Sequence, residues 1–566
     1  MLICNTSKNN ELINKIFNKN EIEIINNKLK NLNIERIIYC SFENRFAKSG
    51  GLGAVTQAIL PYLDSYQIKT NAILISPFYT NIIKNKNIKK SNLKFNVPFN
   101  NKNIEAEILE YQLEYNIPKK GVLKEYFIKA KGFFNSKNNL NDPYVYKQNN
   151  IKANNEKLIL NALFFCKAVP FFLRKIKTTE NIVFHLQDWQ TGLITLISKE
   201  ALLNNILKSC SSTLTMHNCF DSYIGERYLK MITGRGSVLK EFTALQIAIE
   251  LSDTPATTVS KSFSREFTRD IIQKEHYAPH LQSIFNQNKI KGISNGMFID
   301  FPDEYKEHKI SINEIKKSKH EARVKLLKII KNYPNAEYFG ELTYQGKSIM
   351  NLPEDIPIFV MTGRLDFLQK GYDIFLHALK RFDKDSIKVI LTPKAVRDSD
   401  LIFFKNTAEE CYGNIIIFYK NMTYGFSDLQ SGSTFGVMPS IYEPFGAAIE
   451  YMVRGTVVIA RKTGGLKDQI DKNCGILFRE KNKNYTLENI KNFSELNNKI
   501  EEKIDNNNWV KDMTEALYNA LNQAKCFYQQ ENDRYYKMIK NGFKKAKRFT
   551  WQKSVKEYFK IYRRYK

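Results

Sequence analysis

A glycine-rich turn, KSGGLG at positions 48–53, is the first segment whose residue types could do chemistry. It follows the apolar run 37–42 and precedes the helix-like segment AVTQAILPYL. Backbone N–H groups at the start of a helix can point at a phosphate, and the helix dipole favours an anion there. Lys48 would add a full positive charge. A turn of this kind is also a common tight connection, so by itself it leaves both interpretations open.

Two cations, Arg364 and Lys370, lie in the stretch TGRLDFLQKGYDIFLHAL, between a predicted strand and a predicted helix. Fixed cations stabilise the negative charge that develops on a departing diphosphate, so this pair could hold such a leaving group without a metal. Taken alone, a pair of this kind is more often a solvated surface pair.

An acid, Glu443, begins the motif EPFG, and Glu450 follows seven residues later. Carboxylates seven positions apart on one helix share a face, so the spacing predicts that both acids point into one cleft. The alternative is two solvated glutamates at helix ends. The apolar flank VMPSIY and the adjacent proline and glycine favour a constrained loop at the end of a strand.

Histidine is scarce, with seven in the chain, yet His185 and His217 stand at the ends of predicted strands. Each is followed by a hydrogen-bonding side chain, Asp188 or Asn218. A single histidine in this position is usually structural, but two of them favour recognition of sugar hydroxyls. The triplet Asp-Ser-Asp at 398–400 could suggest a metal site, but its polar surroundings predict a solvated loop.

The elements that position these candidates are short apolar runs, each followed by a loop and a helix-like segment. The predicted strands are 37–42, 72–75, 182–185, 213–217, 358–362, 387–391, 415–418, 435–438 and 457–460. This order predicts two doubly wound parallel sheets in tandem, and such sheets bind ligands at the carboxyl ends of their strands. We therefore expect the ligand to lie between the two domains.

Domain limits follow from changes in composition. Residues 1–33 have helical spacing and predict a helical N-terminal extension, and Gly, Pro and charge near 296–305 predict the boundary between the two domains. The Asn- and Lys-rich segments 80–104 and 481–508 are typical of surface insertions.

The composition is that of a folded globular protein, with 566 residues of which 43% are hydrophobic and 25% charged. The net charge of +28 comes from dispersed lysine, so we expect no nucleic-acid partner. The eight cysteines lack metal or redox spacing, which favours reduced thiols and a cytoplasmic protein. No signal-type segment or membrane span is recognisable, so we expect no membrane partner.

In order and spacing, the motifs resemble those of the bacterial and plant glycogen and starch synthases, the retaining α-glucan synthases of glycosyltransferase family five. The matching runs are KSGGLGAV, HLQDWQTGL, MHN, TTVSKSFSREF, ISNG, GRLDFLQKG, MPSIYEPFG, RKTGGLKDQI and FTWQKSVKEYFKIYRR. The resemblance extends over about residues 35–565. It implies two Rossmann-like doubly wound domains facing a cleft, which is the GT-B type of glycosyltransferase fold.

The resemblance also implies the roles of the domains. Residues 34–300 form the N-terminal catalytic domain on the acceptor side, and residues 301–540 form the domain on the nucleotide-sugar side. Residues 541–566 form a C-terminal helix that returns to the first domain.

Roles for individual residues follow from the same resemblance. Glu443 supports the donor glucose and the positive charge at its anomeric carbon, while Arg364 and Lys370 hold the phosphates of the leaving nucleotide. His217 lies beside the donor sugar and Asp188 orients sugar hydroxyls. The residues implied in donor or nucleotide binding are Lys48, Gly50, Gly51, Asn295, Tyr419, Glu450, Thr463, Gly464 and Gly465, with Tyr419 matching a tyrosine that stacks on the base.

Three positions depart from the family pattern. Ala54 replaces an aspartate, Gln187 replaces the second histidine of HxHDW, and Phe445 replaces a cysteine. These changes affect the contacts expected for the donor base and the acceptor. The charged residues Lys48, Arg364, Lys370 and Glu443 are all present.

The reaction implied is transfer of glucose from ADP-glucose, or alternatively UDP-glucose, to the non-reducing end of an α-1,4-glucan with retention of configuration. The expected partners are the nucleotide sugar and the glucan acceptor, with no metal and no other cofactor. Two alternatives stay open: another retaining transferase of this fold, or an inactive glucan-binding relative, which Ala54 and Gln187 favour. The sequence leaves the oligomeric state open.

Overall fold

The structure is a computed structural model that divides the chain into two compact units. It describes residues 11–563 apart from 31, 49, 68–69, 80–86, 135–155, 236–241, 307–309, 334–341, 368, 395–397, 412, 419–421, 423, 482–487 and 489–506. The first unit extends to Phe298 and includes the chain from Thr550 onward, and the second unit is Ile299–Phe549. The segment that belongs to the first unit again therefore begins at Thr550, nine residues after the predicted start at residue 541.

The strands are β1 (Arg36–Cys40), β2 (Asn71–Pro77), β3 (Lys89–Phe99), β4 (Lys102–Tyr115), β5 (Gly121–Ala130), β6 (Ile182–Gln187), β7 (Cys210–Met216), β8 (Tyr223–Ile224), β9 (Phe242–Thr243), β10 (Thr257–Thr258), β11 (Lys291–Gly292), β12 (Thr343–Tyr344), β13 (Lys347–Ser348), β14 (Ile358–Arg364), β15 (Lys388–Lys394), β16 (Ile415–Ile417), β17 (Phe435–Met438), β18 (Val457–Arg461) and β19 (Gly475–Phe478).

The α-helices are α1 (Glu11–Ile16), α2 (Lys19–Lys30), α3 (Gly51–Ser65), α4 (Glu156–Lys175), α5 (Asp188–Gly192), α6 (Ile194–Leu203), α7 (Glu226–Thr233), α8 (Ala244–Leu251), α9 (Lys261–Arg269), α10 (Gln282–Gln287), α11 (Ile312–Asn332), α12 (Tyr372–Leu379), α13 (Asp398–Glu409), α14 (Phe426–Gly432), α15 (Ala448–Val453), α16 (Leu466–Gln469), α17 (Asn508–Gln530), α18 (Asn532–Ala546) and α19 (Trp551–Tyr562). A π-helical segment covers Ile272–Tyr277, and 3-10 turns cover Pro279–Leu281, Asp303–Tyr305 and Ile349–Asn351.

The first unit contains a nine-stranded sheet in the order β11-β10-β7-β6-β1-β2-β5-β4-β3. The strands from β11 to β5 are parallel, while β4 runs antiparallel to both neighbours. Apart from its first residue, the central strand β1 is fully buried, as expected of a parallel strand covered on both faces. Because β1 is followed by β2 on one side and β6 lies on the other, the strand order reverses between β1 and β6.

The second unit contains a six-stranded parallel sheet in the order β16-β15-β14-β17-β18-β19. Numbered along the chain, this is the 3-2-1-4-5-6 order of a Rossmann-type sheet, and the reversal falls between β14 and β17. The prediction of two doubly wound parallel sheets is therefore confirmed, and each sheet has a reversal point at which a ligand site is expected.

The segment 80–104, interpreted as a surface insertion, is in part a strand, because β3 and β4 extend the first sheet. Alternate residues of β3, including Phe95, Val97 and Phe99, are buried, and the residues between them are exposed. This period of two is the strand signal that the abundant lysine and asparagine obscured. Most of the other segment, 481–508, lies outside the described residues.

The triplet at 398–400, interpreted as a solvated loop, forms the first turn of α13 instead. Aspartate and serine are favoured at helix starts because their oxygens accept from free backbone N–H groups, so a polar triplet of this kind also fits a helix N-terminus.

Helix α19 completes the core of the first unit. Its apolar residues recur at helical spacing, and Trp551, Val555, Phe559 and Tyr562 are buried against β1, α3 and β2. Two hydrogen bonds anchor the helix start: the Trp551 indole donates to the Met297 carbonyl at 2.8 Å, and the Ser554 hydroxyl donates to the Ser294 carbonyl at 2.6 Å.

His185 belongs to this core rather than to a ligand site. Its ring nitrogens lie 2.8 Å from the Thr215 hydroxyl and 2.8 Å from the Tyr562 hydroxyl of α19. Burial lowers the pKa of His185 to about 3, and His217 contributes in the same direction. The suggestion that His185 recognises sugar hydroxyls is therefore wrong, since both ring nitrogens are used inside the protein.

The predicted N-terminal extension contains α1 and α2, and an arginine fixes it to the first unit. Arg235 pairs with Glu21 of α2 at 2.7 Å and with Glu200 of α6 at 2.6 Å. In the part of the chain that the structure describes, no helix has the length and apolarity needed to cross a bilayer.

The close approach of Gly296 to α19 gives a stability test. A Cβ atom at Gly296 would lie 2.5 Å from the Trp551 nitrogen, so Gly296→Ala should displace the helix start and lower the free energy of unfolding by about 1–3 kcal/mol. Gly225→Ala is the matched control, because nothing lies within 4 Å of a Cβ atom there. Urea unfolding measures both variants, and equal midpoints would contradict the packing described.

Candidate active site

The first unit presents its predicted site residues at the carboxyl ends of neighbouring strands. Lys48 follows β1, Asp188 follows β6 and His217 follows β7, and these three strands are adjacent in the sheet. The reversal point between β1 and β6 therefore brings the residues to one edge, as expected for a ligand site of this fold. Asn295 follows β11 and is buried, with its backbone N–H donating to the Val259 carbonyl at 3.3 Å.

Asp188 holds the loop after β7. Its Oδ1 atom accepts from the backbone N–H of His217 at 2.6 Å, and the backbone N–H of Asn218 also donates to it. Burial raises the pKa of Asp188 to about 7; the Glu43 charge adds to this effect, whereas the two backbone N–H groups oppose it. A role for Asp188 toward sugar hydroxyls stays a prediction; its observed contacts position His217.

The His217 ring is neutral at pH 7, because burial lowers its pKa to about 3. Its Nε2 atom lies 2.8 Å from the Gln187 side-chain oxygen. The amide nitrogen of Gln187 has no hydrogen-bond partner among the residues that the structure describes. Gln187, which stands where the family pattern has histidine, therefore orients His217, and the sequence pointed to this position only as a departure.

The glycine turn donates hydrogen bonds to a buried acid that sequence reasoning missed. Glu43 is 1% exposed, and its Oε2 atom accepts from the backbone N–H groups of Gly50 at 2.9 Å and Gly53 at 3.1 Å. Gly51 begins α3, and Lys48 is exposed with its Nζ atom 2.6 Å from the Gln57 side-chain oxygen.

The second unit brings three of the predicted residues together at its own reversal point. Arg364 ends β14, Lys370 lies in the loop that follows, and Glu443 lies in the loop after β17, the neighbouring strand. The Lys370 ammonium donates to Glu443 Oε2 at 2.6 Å, and the Ser440 hydroxyl donates to the same oxygen at 3.1 Å. The carboxylate of Glu443 is 8% exposed, so its charge is paired where water is scarce.

Arg364 is joined to the loop of Glu443 through Gln369. Its Nη2 atom donates to the Gln369 side-chain oxygen at 2.9 Å, and the Gln369 carbonyl accepts from the Ile441 N–H at 2.8 Å. Asp366 lies 3.9 Å from the guanidinium. The two loops at the reversal point are thus one hydrogen-bonded assembly that fixes the positions of both cations.

Glu443 and Glu450 do not share a helix, which corrects the interpretation of their spacing. Glu443 lies in a loop, and α15 begins only at Ala448. Gly446 has a φ of +89°, which is incompatible with a continuous helix from 443. Glu450 lies in the first turn of α15, and its Oε2 atom has no partner within the described ranges.

The TGGL loop packs against the loop of Glu443 by its backbone. A Cβ atom at Gly464 would lie 1.9 Å from the Glu443 carbonyl oxygen, and the Gly465 N–H donates to that oxygen at 2.9 Å. Thr463 is buried, with its hydroxyl 3.4 Å from the Ile441 carbonyl. The observed role of these residues is to support the loop of Glu443, and their contact with a donor stays a prediction.

A buried network missed by sequence reasoning supports the same loop. Arg461, at the end of β18, donates to the Ile441 carbonyl at 2.6 Å and pairs with Glu480 at 2.5 Å. The Trp509 indole donates to Glu480 at 3.3 Å. The partners lie 19 to 29 residues apart, so local sequence patterns could not connect them.

Tyr419, the predicted base-stacking residue, lies outside the described residues. Within the described part of the chain, no three His, Cys, Asp or Glu side chains are grouped as they would be around a metal ion.

Glu450 gives a pH-dependent prediction. Its pKa is raised from 4.5 to about 7, first by burial and then by the Glu443 charge. The folded state therefore binds the proton more tightly than the unfolded state, and stability decreases as pH rises from about 4.5 to about 7. Glu450→Gln removes this penalty, so the gain in melting temperature over the wild type should be larger at pH 8 than at pH 5.

Thermal unfolding at both pH values measures the effect, with Glu304→Gln, an exposed glutamate of the same unit, as the control. A gain that is the same at pH 5 and pH 8 would show that Glu450 is not a penalised acid.

Comparison with known proteins gives the same division of the chain. The starch synthase catalytic domain family matches residues 36–286, and glycosyl transferases group 1 matches residues 347–510. Glycogen synthase from Petrotoga mobilis is 25% identical over 549 residues, covering 93% of this chain and 98% of the relative. Glycogen synthase from Fervidobacterium nodosum is 26% identical over 550 residues, covering 94% and 99%.

A solved structure shows the same fold. The catalytic domain of starch synthase IV from Arabidopsis thaliana, bound to ADP and acarbose, superimposes with a TM-score of 0.68 at 18% identity, covering 94% of this chain and 99% of that one. The two sheets have the topology of the GT-B fold. The chain is a glycosyltransferase whose two units match these two families, and it is similar over more than nine-tenths of its length to glycogen synthases.

Proposed function

We propose that this enzyme transfers glucose from ADP-glucose, or alternatively from UDP-glucose, to the non-reducing 4-hydroxyl of an α-1,4-glucan with retention at the anomeric carbon. The observation that carries the proposal is the pairing of Lys370 with Glu443, next to Arg364, at the reversal point of the second sheet. The relatives named glycogen synthase and the starch synthase bound to ADP and acarbose support this substrate class.

The two cations are suited to a diphosphate leaving group. When the bond between the anomeric carbon and the phosphate oxygen breaks, negative charge develops on that oxygen, and cations fixed in advance stabilise it without reorganisation. Arg364 and Lys370 are fixed by Gln369 and Glu443. We therefore assign them to the phosphates of the nucleotide, and with this assignment the reaction needs no metal or other cofactor.

Glu443 is suited to the sugar that the nucleotide leaves behind. Departure of the nucleotide places positive charge on the anomeric carbon and the ring oxygen, and a buried carboxylate nearby stabilises that charge. Since the departing phosphate can take the proton of the acceptor hydroxyl, the new bond forms on the face from which the nucleotide leaves. This same-face course gives retention.

The first unit is suited to an uncharged polyhydroxy substrate. His217 is neutral at pH 7, and Gln187 and Asp188 form hydrogen bonds at the same edge. We assign the glucan acceptor to this unit and the nucleotide sugar to the second.

The described cysteines are all free, which is consistent with a cytoplasmic location.

One assay tests the donor and the acceptor together. Radiolabelled ADP-glucose and UDP-glucose are offered separately with glycogen as primer, and incorporation into glucan is measured. We expect transfer from one of the two donors. Nucleotide release that requires another acceptor would indicate a different retaining transferase, and glucan binding without nucleotide release from any donor would indicate an inactive relative.

Lys370→Met tests the role of the cation. The variant removes a fixed charge that acts on the leaving phosphate, so we expect kcat to fall by about a hundredfold or more. Lys511→Met, which removes an exposed lysine on α17 of the same unit, is the control and should keep the wild-type rate. A Lys370→Met enzyme with a normal kcat would rule out the assigned role.

A further inference from the structure

The N-terminal end of α3 has no capping group of its own. Its N-cap residue is Gly50, which has no side chain, and the first turn contains no acidic residue. Free backbone N–H groups at a helix start need an acceptor, which a side chain can supply. Glu43, seven residues before the N-cap, supplies that acceptor through its bonds to the N–H groups of Gly50 and Gly53.

Glu43 is itself held in place. The Ser41 hydroxyl donates to the Glu43 carbonyl at 2.7 Å, and the Glu43 N–H donates to the Ser41 oxygen at 3.2 Å. The side chain is 1% exposed, so the carboxylate cannot turn into water without moving the loop. A buried carboxylate is stable only where donors surround it, and the helix start provides them.

The turn is packed tightly around this carboxylate. A Cβ atom at Gly53 would lie 3.1 Å from Glu43 Oε2 and 2.8 Å from Lys48 Cγ. Only glycine lets the acid, the helix start and the stem of Lys48 come this close together. The position of Lys48 at the site therefore depends on the position of Glu43.

The charge of Glu43 also acts on Lys48 and on Asp188. Desolvation and Arg45 lower the pKa of Lys48, whereas the Glu43 charge acts in the opposite direction. Glu43 also contributes to the raised pKa of Asp188, which places both acids at one edge of the sheet.

From this geometry we propose that Glu43 is a positioning residue: its carboxylate is the built-in anion of the glycine turn, and it orders the turn and Lys48 before any substrate binds. The inference rests on the proposed function. The Gly50 N–H, which the family resemblance assigns to the nucleotide diphosphate, donates to Glu43 in this structure. The N–H groups of Gly50 and Gly53 are then used internally, and the exposed Lys48 carries the charge that the turn offers to a ligand.

Chemical rescue tests the proposal. Glu43→Ala leaves a space lined by two backbone donors, which formate can fill, so kcat should fall by about ten- to a hundredfold and formate should restore a large part of it. Glu43→Gln is the matched control, because its amide fills the space and leaves no room for formate. Its activity should be insensitive to formate. Sodium chloride at equal ionic strength controls for screening.

Thermal unfolding gives a second readout that does not require activity. Formate should raise the melting temperature of Glu43→Ala, but not that of the wild type or Glu43→Gln. If formate stabilises Glu43→Ala in this selective way while the wild type transfers no glucose from either donor, the proposed function fails and the built-in anion is supported.

Two results would overturn the inference. One is a Glu43→Ala enzyme with the wild-type kcat and melting temperature. The other is a loss that formate fails to restore in either readout. If Glu43→Ala does not fold, Glu43→Asp replaces it in the activity assay; its shorter carboxylate should lower kcat with little change in the KM for glucan, and an unchanged kcat would overturn the proposal.

Discussion

The ion pair between Lys370 and Glu443 is the interaction on which the account of the second unit depends. A carboxylate that is almost fully buried is costly unless a cation and hydrogen-bond donors surround it. Here Lys370 and Ser440 donate to one of its oxygens, and the loops around it are fixed by backbone bonds and by the Arg461 network. The cation and the acid are thus held in place by each other.

The chemistry of the site follows from this mutual support. Lys370 and Glu443 stabilise each other in the free enzyme. In the proposed reaction, the positive charge of Lys370 acts on the phosphate of the sugar nucleotide and the negative charge of Glu443 acts on its sugar. Because the loops are already fixed, little reorganisation is needed when charge develops. The backbone contacts of Gly464 and Gly465 with Glu443 make this arrangement sensitive to any side chain at those positions.

The first unit also contains buried acids, but backbone N–H groups stabilise them. Its sheet has the same kind of reversal point, but the turn after β1 accepts a carboxylate from within the protein. Glu43 satisfies the start of α3, and Asp188 satisfies the backbone of the loop after β7. Both acids are used to shape loops, and Lys48 and a neutral His217, whose ring is held by the Gln187 side-chain oxygen, lie at the same edge of the sheet.

Much of this organisation could be predicted from local patterns. Runs such as those at 72–75 and 457–460 are apolar throughout, as buried parallel strands are, and both lie in strands of the structure. Strand β3 was missed because its buried residues alternate with lysine and asparagine. The prediction of a shared helix for Glu443 and Glu450 was wrong because spacing alone does not show that the chain leaves helical geometry at Gly446.

Hydrogen bonds between side chains that are distant along the chain could not be predicted, because local sequence patterns do not show which residues meet in the fold. Glu43 appears in the sequence as one polar residue among several, and only the folded turn shows which N–H groups it meets. Gln187 was noticed as a departure, but its contact with His217 depends on the pairing of β6 with β7.

Calorimetric titration of ADP into the wild type, Lys370→Met and Glu443→Gln tests the central claim most directly. If the cation meets the phosphates and the acid meets the sugar, Lys370→Met should bind ADP about tenfold more weakly or worse, whereas Glu443→Gln should bind it at least as tightly as the wild type. Equal affinity in all three proteins, or a loss confined to Glu443→Gln, would contradict the account.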